Sequence, residues 1–173
     1  MRNVALKVSL ACVFSALTCV GAWIKIPISL VPVTLQTLFV HLSGLLLGAS
    51  LGALSQLVYV LLGVVGLPVF AKGGGIAYLV GPTGGYLLGF IASAYVTGLL
   101  DGKTIKRCLI SSLAGLCVIY MMGVAVLSTW VGGLWRALAV GVAPFVIGDV
   151  LKAISASYIA VKLKPVVKTL LGR

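Results

Sequence analysis

The sequence predicts an all-α integral membrane protein, a bundle of six transmembrane helices with both ends of the chain on the cytoplasmic side. Three observations predict it. Of 173 residues, 61% are hydrophobic and 9% charged, with a mean hydropathy of +1.25, more apolar surface than a soluble domain of this size can hide. The apolar residues form long runs broken by short gaps, the mark of successive membrane helices. The charges are 13 Lys and Arg against two Asp, a net +11. In a soluble protein that excess would point to nucleic acid. Here the cations sit in the gaps between apolar runs, which reads as membrane orientation and excludes a nucleic-acid partner. The length suits one membrane domain, residues 1–173, with no separate soluble unit.

The first span is expected over 5–24. Arg2 and Lys7 before it and the small residues at 20–22 imitate a secretory signal, but the chain that follows is itself membrane-spanning, so the run is read as a span. Small residues recur on it at four-residue spacing (Ala11, Ser15, Cys19, with Cys12 and Ala16 beside them), a pattern that lets another helix approach closely. Packing within the bundle and docking of a partner protein explain it equally well. Residues 26–33 form a first irregular segment, because Pro27 and Pro32 disfavour helix in the residues before them, and Thr34 is placed to cap the next helix. The second and third spans, 35–48 and 51–65, are joined by the uncharged link 48–50 and so form an antiparallel hairpin.

A glycine-rich segment over 66–82 follows, with Lys72 as its one charge. It is too apolar for a solvated linker, and irregular backbone at membrane depth is tolerated where it lines a cavity. The two irregular segments are therefore expected to cap a small-molecule pocket. The fourth span covers 83–100, a polar loop 101–107, and the fifth span 108–129. Residues 130–143 read as a loop or interfacial half-helix. The sixth span, 144–161, opens on Pro144, which suits a first helical turn, and a basic tail follows.

Six spans bring Arg2, Lys7, Lys103, Lys106, Arg107, Lys162, Lys164, Lys168 and Arg173 to the side of the termini, and only Lys25, Lys72 and Arg136 to the other. The excess of cations makes the terminal side cytoplasmic. Trp23, Trp130 and Trp135 then all fall at the outer interface, where indole prefers to sit, and both irregular segments face outward.

Few residues are equipped for chemistry. Asp149 and Lys152 lie three apart in the sixth span, on one helix face. Charge in a bilayer is costly, so such residues pair and face the bundle interior or a cavity. The pair is read as a ligand-binding couple, against the alternative of a mutually neutralising lock between helices. A carboxylate accepts hydrogen bonds from ring N–H groups; an ammonium orients that carboxylate or meets a ligand acceptor. The lone His41 is expected as hydrogen-bonded packing rather than a proton relay. The four cysteines form no CxxC pair and take no metal or redox role. Residues 102–104 (GKT) resemble the end of a phosphate-binding loop, but the first glycine is out of register and no strand precedes them. No catalytic set is present, so no enzyme and no cofactor is expected.

Four stretches carry a resemblance: 32–38 (PVTLQTL), 66–71 (GLPVFA), 81–89 (GPTGGYLLG) and 144–152 (PFVIGDVLK). Together and in this order they resemble the BioY family, the biotin-specific S components of energy-coupling-factor (ECF) vitamin transporters. The resemblance implies an S-component fold in the cell membrane with cytoplasmic termini, and biotin held near the outer face beneath the two irregular segments. It implies a transmembrane coupling protein and two ATP-binding subunits as partners. It places Asp149 and Lys152 at the ureido end of biotin, with Gln36 and Tyr86 near the ligand, and marks Ala11 and Ser15 on the first helix as docking positions. Phe70, Tyr78 and Tyr86 are expected to wall an apolar slot, and Lys72 to meet the valerate carboxylate. The competing readings are a stand-alone channel or secondary transporter, and an S component for another vitamin.

Overall fold

The computed structural model describes residues 2–26 and 31–171. Pro27, much of the first irregular segment and Arg173 lie outside the described residues, as does the side chain of Arg2. Eight helices appear in the described chain: α1 (Arg2–Trp23), α2 (Gln36–Leu47), α3 (Ala49–Val64), α4 (Ile76–Val80), α5 (Gly84–Leu99), α6 (Ile105–Val131), α7 (Leu134–Gly141) and α8 (Val146–Leu171). Two short strands, β1 (Lys25–Ile26) and β2 (Val33–Thr34), pair antiparallel, with Lys25 opposite Thr34.

α2 is the centre of the bundle. All of it except Leu38 and Phe39 is buried, and it packs against α1, α3, α5 and α8. A helix that is apolar all round is one that neighbours enclose. Its link to α3 is the single residue Gly48, held at φ 84°, a left-handed conformation that favours glycine. α5 and α6 make the most extensive helix pair, and α8 closes the bundle against α2 and α6.

Two helical stretches, Val4–Trp23 and Ile105–Val131, are long and apolar enough to cross a membrane, and α7 with α8 makes a third if the pair, bent by 56°, is one span. α2, α3 and α5 are shorter apolar helices. At 1.5 Å rise they reach roughly 18–24 Å, against a hydrocarbon core of about 30 Å.

Several boundaries differ from the sequence reading. Residues 66–82 are not wholly irregular, since α4 forms a turn of helix within them. α7 realises the half-helix expected over 130–143. Pro144 sits in the turn between α7 and α8 rather than in a first helical turn. α8 runs on through Pro165 to Leu171, so the basic tail is helical. α6 starts at Ile105 because the Thr104 side chain caps it, accepting from the Arg107 backbone N–H at 3.3 Å. Thr34 serves Gln36 more than the helix end: its hydroxyl donates to Gln36 Oε1 at 2.9 Å, while Leu35 holds the cap position.

The two ends of the bundle differ. At one end the α1 terminus and the 66–75 loop are tied together, Trp23 Nε1 donating to the Pro68 carbonyl at 3.1 Å and Lys25 Nζ donating to the Ala71 carbonyl. At the other end Lys164 of α8 meets Asp101 and the Gly102 carbonyl in the α5–α6 loop.

Candidate ligand-binding site

A cavity opens at the first of these ends. Its walls come from β2, α2, the 66–75 loop, α4, α5, α6, α7 and α8, and include Thr34, Gln36, Thr37, Phe70, Lys72, Tyr78, Tyr86, Phe90, Ile119, Tyr120, Phe145 and Asp149. The centre of a water-sized sphere can range over ≈ 80 Å³ inside it, room for several waters or one small organic molecule. The lining is mostly apolar with a few polar groups, the usual make-up of a small-molecule site.

Asp149 is the one acid of the lining. It is 4% exposed and stands in the first turn of α8. Lys152 Nζ lies 2.7 Å from its Oδ1, an ion pair one turn apart. Thr37 of α2 donates to the same oxygen at 2.9 Å, and Tyr120 of α6 donates to Oδ2 at 2.7 Å. Three helices thus supply hydrogens to one carboxylate, which offsets the cost of burying its charge. Lys152 also donates to the Thr34 carbonyl of β2 at 2.6 Å. It does not line the cavity; it stands behind Asp149 and holds it.

The remaining walls are fixed by contacts among themselves. Tyr86 OH donates to the Gly141 carbonyl at 2.9 Å, joining α5 to α7. Gln36 Nε2 donates to Tyr59 OH, and Tyr59 meets Phe70 edge-on with ring centroids 5.6 Å apart. Phe70 contacts Tyr78 at 6.0 Å, and Tyr78 OH donates to the Lys72 carbonyl at 2.5 Å. Phe70 comes this close to α3 because Gly63 has no side chain, a Cβ there falling 2.0 Å from the Phe70 ring.

Of the residues singled out from the sequence, Asp149, Gln36, Tyr86, Phe70, Tyr78 and Lys72 come together around this cavity. Sequence reasoning missed Thr37 and Tyr120. Each was signalled only by being polar inside an apolar helix, Thr37 one residue after Gln36 and Tyr120 in mid-α6. His41 departs from expectation. It is fully buried one helical turn from Thr37, and neither ring nitrogen has a hydrogen-bond partner among the described residues.

Ala11 and Ser15 are each 1% exposed. α1 turns them inward, where it packs on α2 and α3, so they do not form an outward docking face. Close approach to internal neighbours needs small residues as much as an external partner does. The small residues that α1 leaves exposed are Ala5, Ser9, Cys12 and Ala16. Among the described residues no group of three or more His, Cys, Asp or Glu is placed to hold a metal.

The comparisons agree with this architecture. Residues 1–169 match the model of the BioY family. The chain is 51% identical over 155 residues to the biotin transporter BioY of Thermotoga maritima, covering 88% of this chain and 92% of that one. It is 47% identical over 161 residues to a probable biotin transporter BioY of Pyrococcus horikoshii, covering 92% and 97%. Its fold matches the crystal structure of the S component for biotin from an ECF-type ABC transporter, with TM-score 0.84 and 26% identity over 92% of this chain and 90% of that one. These relatives are transporters and not enzymes. The structure has the S-component fold, its apolar helices are those of a multi-pass membrane protein, and the chain belongs to the BioY family.

Proposed function

We propose that the chain is the biotin-capturing subunit of an ATP-driven uptake transporter in the cell membrane. Its six longer helices (α1, α2, α3, α5, α6 and α8) cross the bilayer, the shorter ones extended by their flanking segments, with both termini cytoplasmic and the cavity at the outer face. The observation that carries this reading is the Asp149–Lys152 pair, with Thr37 and Tyr120 on the carboxylate, set in the wall of an apolar cavity. The names of the relatives support biotin as the occupant.

The chemistry suits that vitamin. Biotin is a rigid fused ring with two N–H groups, a carbonyl and a thioether, joined to an apolar chain ending in a carboxylate. Asp149 takes a ureido N–H, and Lys152 braces the acid from behind. Phe70, Tyr78 and Tyr86 enclose the ring and chain, with Gln36 beside them, and Lys72 meets the valerate carboxylate. An enclosed apolar slot with a few fixed polar groups suits high affinity.

Capture alone does not energise transport. The chain shows no nucleotide-binding motif, so energy comes from a partner module, a transmembrane coupling protein with two ATP-binding subunits. The outward face of α1, with Cys12 and Ala16 exposed, offers the close-packing surface such a coupling protein needs.

The test is equilibrium biotin binding to detergent-purified protein. Asp149→Ala weakens binding at least about tenfold, the loss of one charge-assisted hydrogen bond, while the protein remains monodisperse. Unchanged affinity in this variant would refute the assignment. Mass spectrometry of the small molecule that co-purifies separates biotin from any other vitamin, and uptake by cells with and without the ATPase module separates a capture subunit from a self-sufficient carrier.

A further inference from the structure

Tyr86 of α5 lines the cavity, and its ring is seated against buried glycines of two other helices. A Cβ added at Gly123 of α6 would fall 2.3 Å from Tyr86 Cε1 and 2.4 Å from Cδ1, and one at Gly141 of α7 would fall 2.2 Å from the Tyr86 hydroxyl oxygen. Carbon atoms in a packed interior settle roughly 3.5–4.0 Å apart, so the ring occupies the space that two methyl groups would otherwise fill. Its hydroxyl is pinned in the same notch by donation to the Gly141 carbonyl at 2.9 Å.

The backbone that carries the ring has little slack. Beside Tyr86, a Cβ at Gly85 would fall 2.2 Å from the Met122 carbonyl oxygen, and one turn on, a Cβ at Gly89 would fall 3.1 Å from Ile119 Cα. α5 and α6 thus touch backbone to backbone along the most extensive helix pair of the bundle. Parting them would open a close-packed seam over several turns, whereas a ring turns about its own side-chain bonds at small cost. The open side for that turn is the cavity. We infer that Gly123 is a positioning residue for the ligand: outside the cavity lining itself, it sets the width of the cavity by holding the Tyr86 ring back. The inference rests on the proposed function in taking biotin as the occupant.

The test measures equilibrium binding of biotin and of desthiobiotin to detergent-purified wild type, Gly123→Ala, Tyr86→Leu and the double variant. Desthiobiotin keeps the urea and the carboxylate chain of biotin but lacks the sulfur, so it has one ring and a slimmer body. G123A weakens biotin at least about tenfold, and its loss for desthiobiotin is smaller by at least about threefold. With leucine at position 86 no ring remains to be displaced, and adding G123A changes the Kd of biotin by no more than about twofold. Unchanged biotin affinity in G123A overturns the inference. An equal loss for the two ligands also overturns it, since the polar contacts rather than the width would then have changed. A loss undiminished in the Y86L background overturns it too, since the methyl group would then act by a route other than Tyr86. If G123A does not purify as a single species, Gly141→Ala, which meets the same ring at its hydroxyl, takes its place and is judged by the same three outcomes. Wild-type protein that binds neither ligand overturns the proposed function, and this inference with it.

Discussion

Two acid–lysine pairs stand at opposite ends of α8, and they use the only two acids in the sequence. Near its start, Lys152 and Asp149 are three residues apart, and the acid lines a cavity. Near its end, Lys164 reaches Asp101, 63 residues away, at 2.5 Å, and also meets the Gly102 carbonyl and Cys108 Sγ. The chemistry is the same, yet the surroundings differ. In the second pair the ammonium is consumed by the α5–α6 loop and by Cys108, and the result is a staple between distant segments. The first pair is open. Its acid gathers hydrogens from α2 and α6 and still shows a face to empty space. What separates a candidate binding site from a structural staple is therefore not the ion pair but its place: Asp149 stands in the wall of a cavity, and Asp101 in a partly exposed loop that it ties to α8.

Removing one partner from each pair sharpens the contrast. Lys152→Met leaves the Asp149 carboxylate buried without its counter-charge, a change that costs roughly 3–5 kcal/mol for a buried pair. It is expected to abolish measurable biotin binding and to lower the thermal midpoint, read by calorimetry and by fluorescence-detected unfolding. Retained binding would mean that the ammonium is dispensable to the site. Asp101→Asn cuts the distal staple. Its pair is less enclosed, the Asp101 side chain being 23% exposed, so the expected loss is about 1–3 kcal/mol. Biotin affinity should stay within about twofold of wild type; a larger drop would mean that the two ends of α8 are energetically coupled. The smallest effect belongs to Lys72→Ala. An ion pair in a partly exposed loop is worth about 1 kcal/mol or less, so biotin should weaken by no more than about fivefold. Biotin amide, which has no carboxylate, should bind the variant and the wild type alike, and an equal loss for both ligands would remove Lys72 from the role of carboxylate partner.

How much of this was readable beforehand follows from what each residue had to signal. Asp149 and Lys152 announced themselves because charge inside an apolar run is costly and has few uses. Phe70, Tyr78 and Lys72 stood out within the 66–82 segment, whose apolar residues ruled out a plain linker, whereas Gln36 and Tyr86 came from the family resemblance. Thr37 and Tyr120 gave no such signal. A hydroxyl in a membrane helix satisfies itself on the preceding turn as readily as it serves a site, as Ser157 does by donating to the Ala153 carbonyl, and only tertiary packing distinguishes the two. The inward turn of Ala11 and Ser15 was hidden for a related reason. Small residues run along more than one face of α1, and the sequence does not say which face meets α2 and α3. The persistence of α8 through Pro165 is likewise a tertiary result, its terminal turns held by Lys164 on the α5–α6 loop.

Lys152 donates to two oxygens at once, the Asp149 carboxylate and the backbone carbonyl of Thr34 in the short hairpin beside the cavity. One ammonium is therefore shared between the acid of the cavity wall and the strand beside it. Lifting β2 away from α8 removes one of the two oxygens that hold that nitrogen, so the hairpin cannot part from the bundle without loosening the ammonium that braces Asp149.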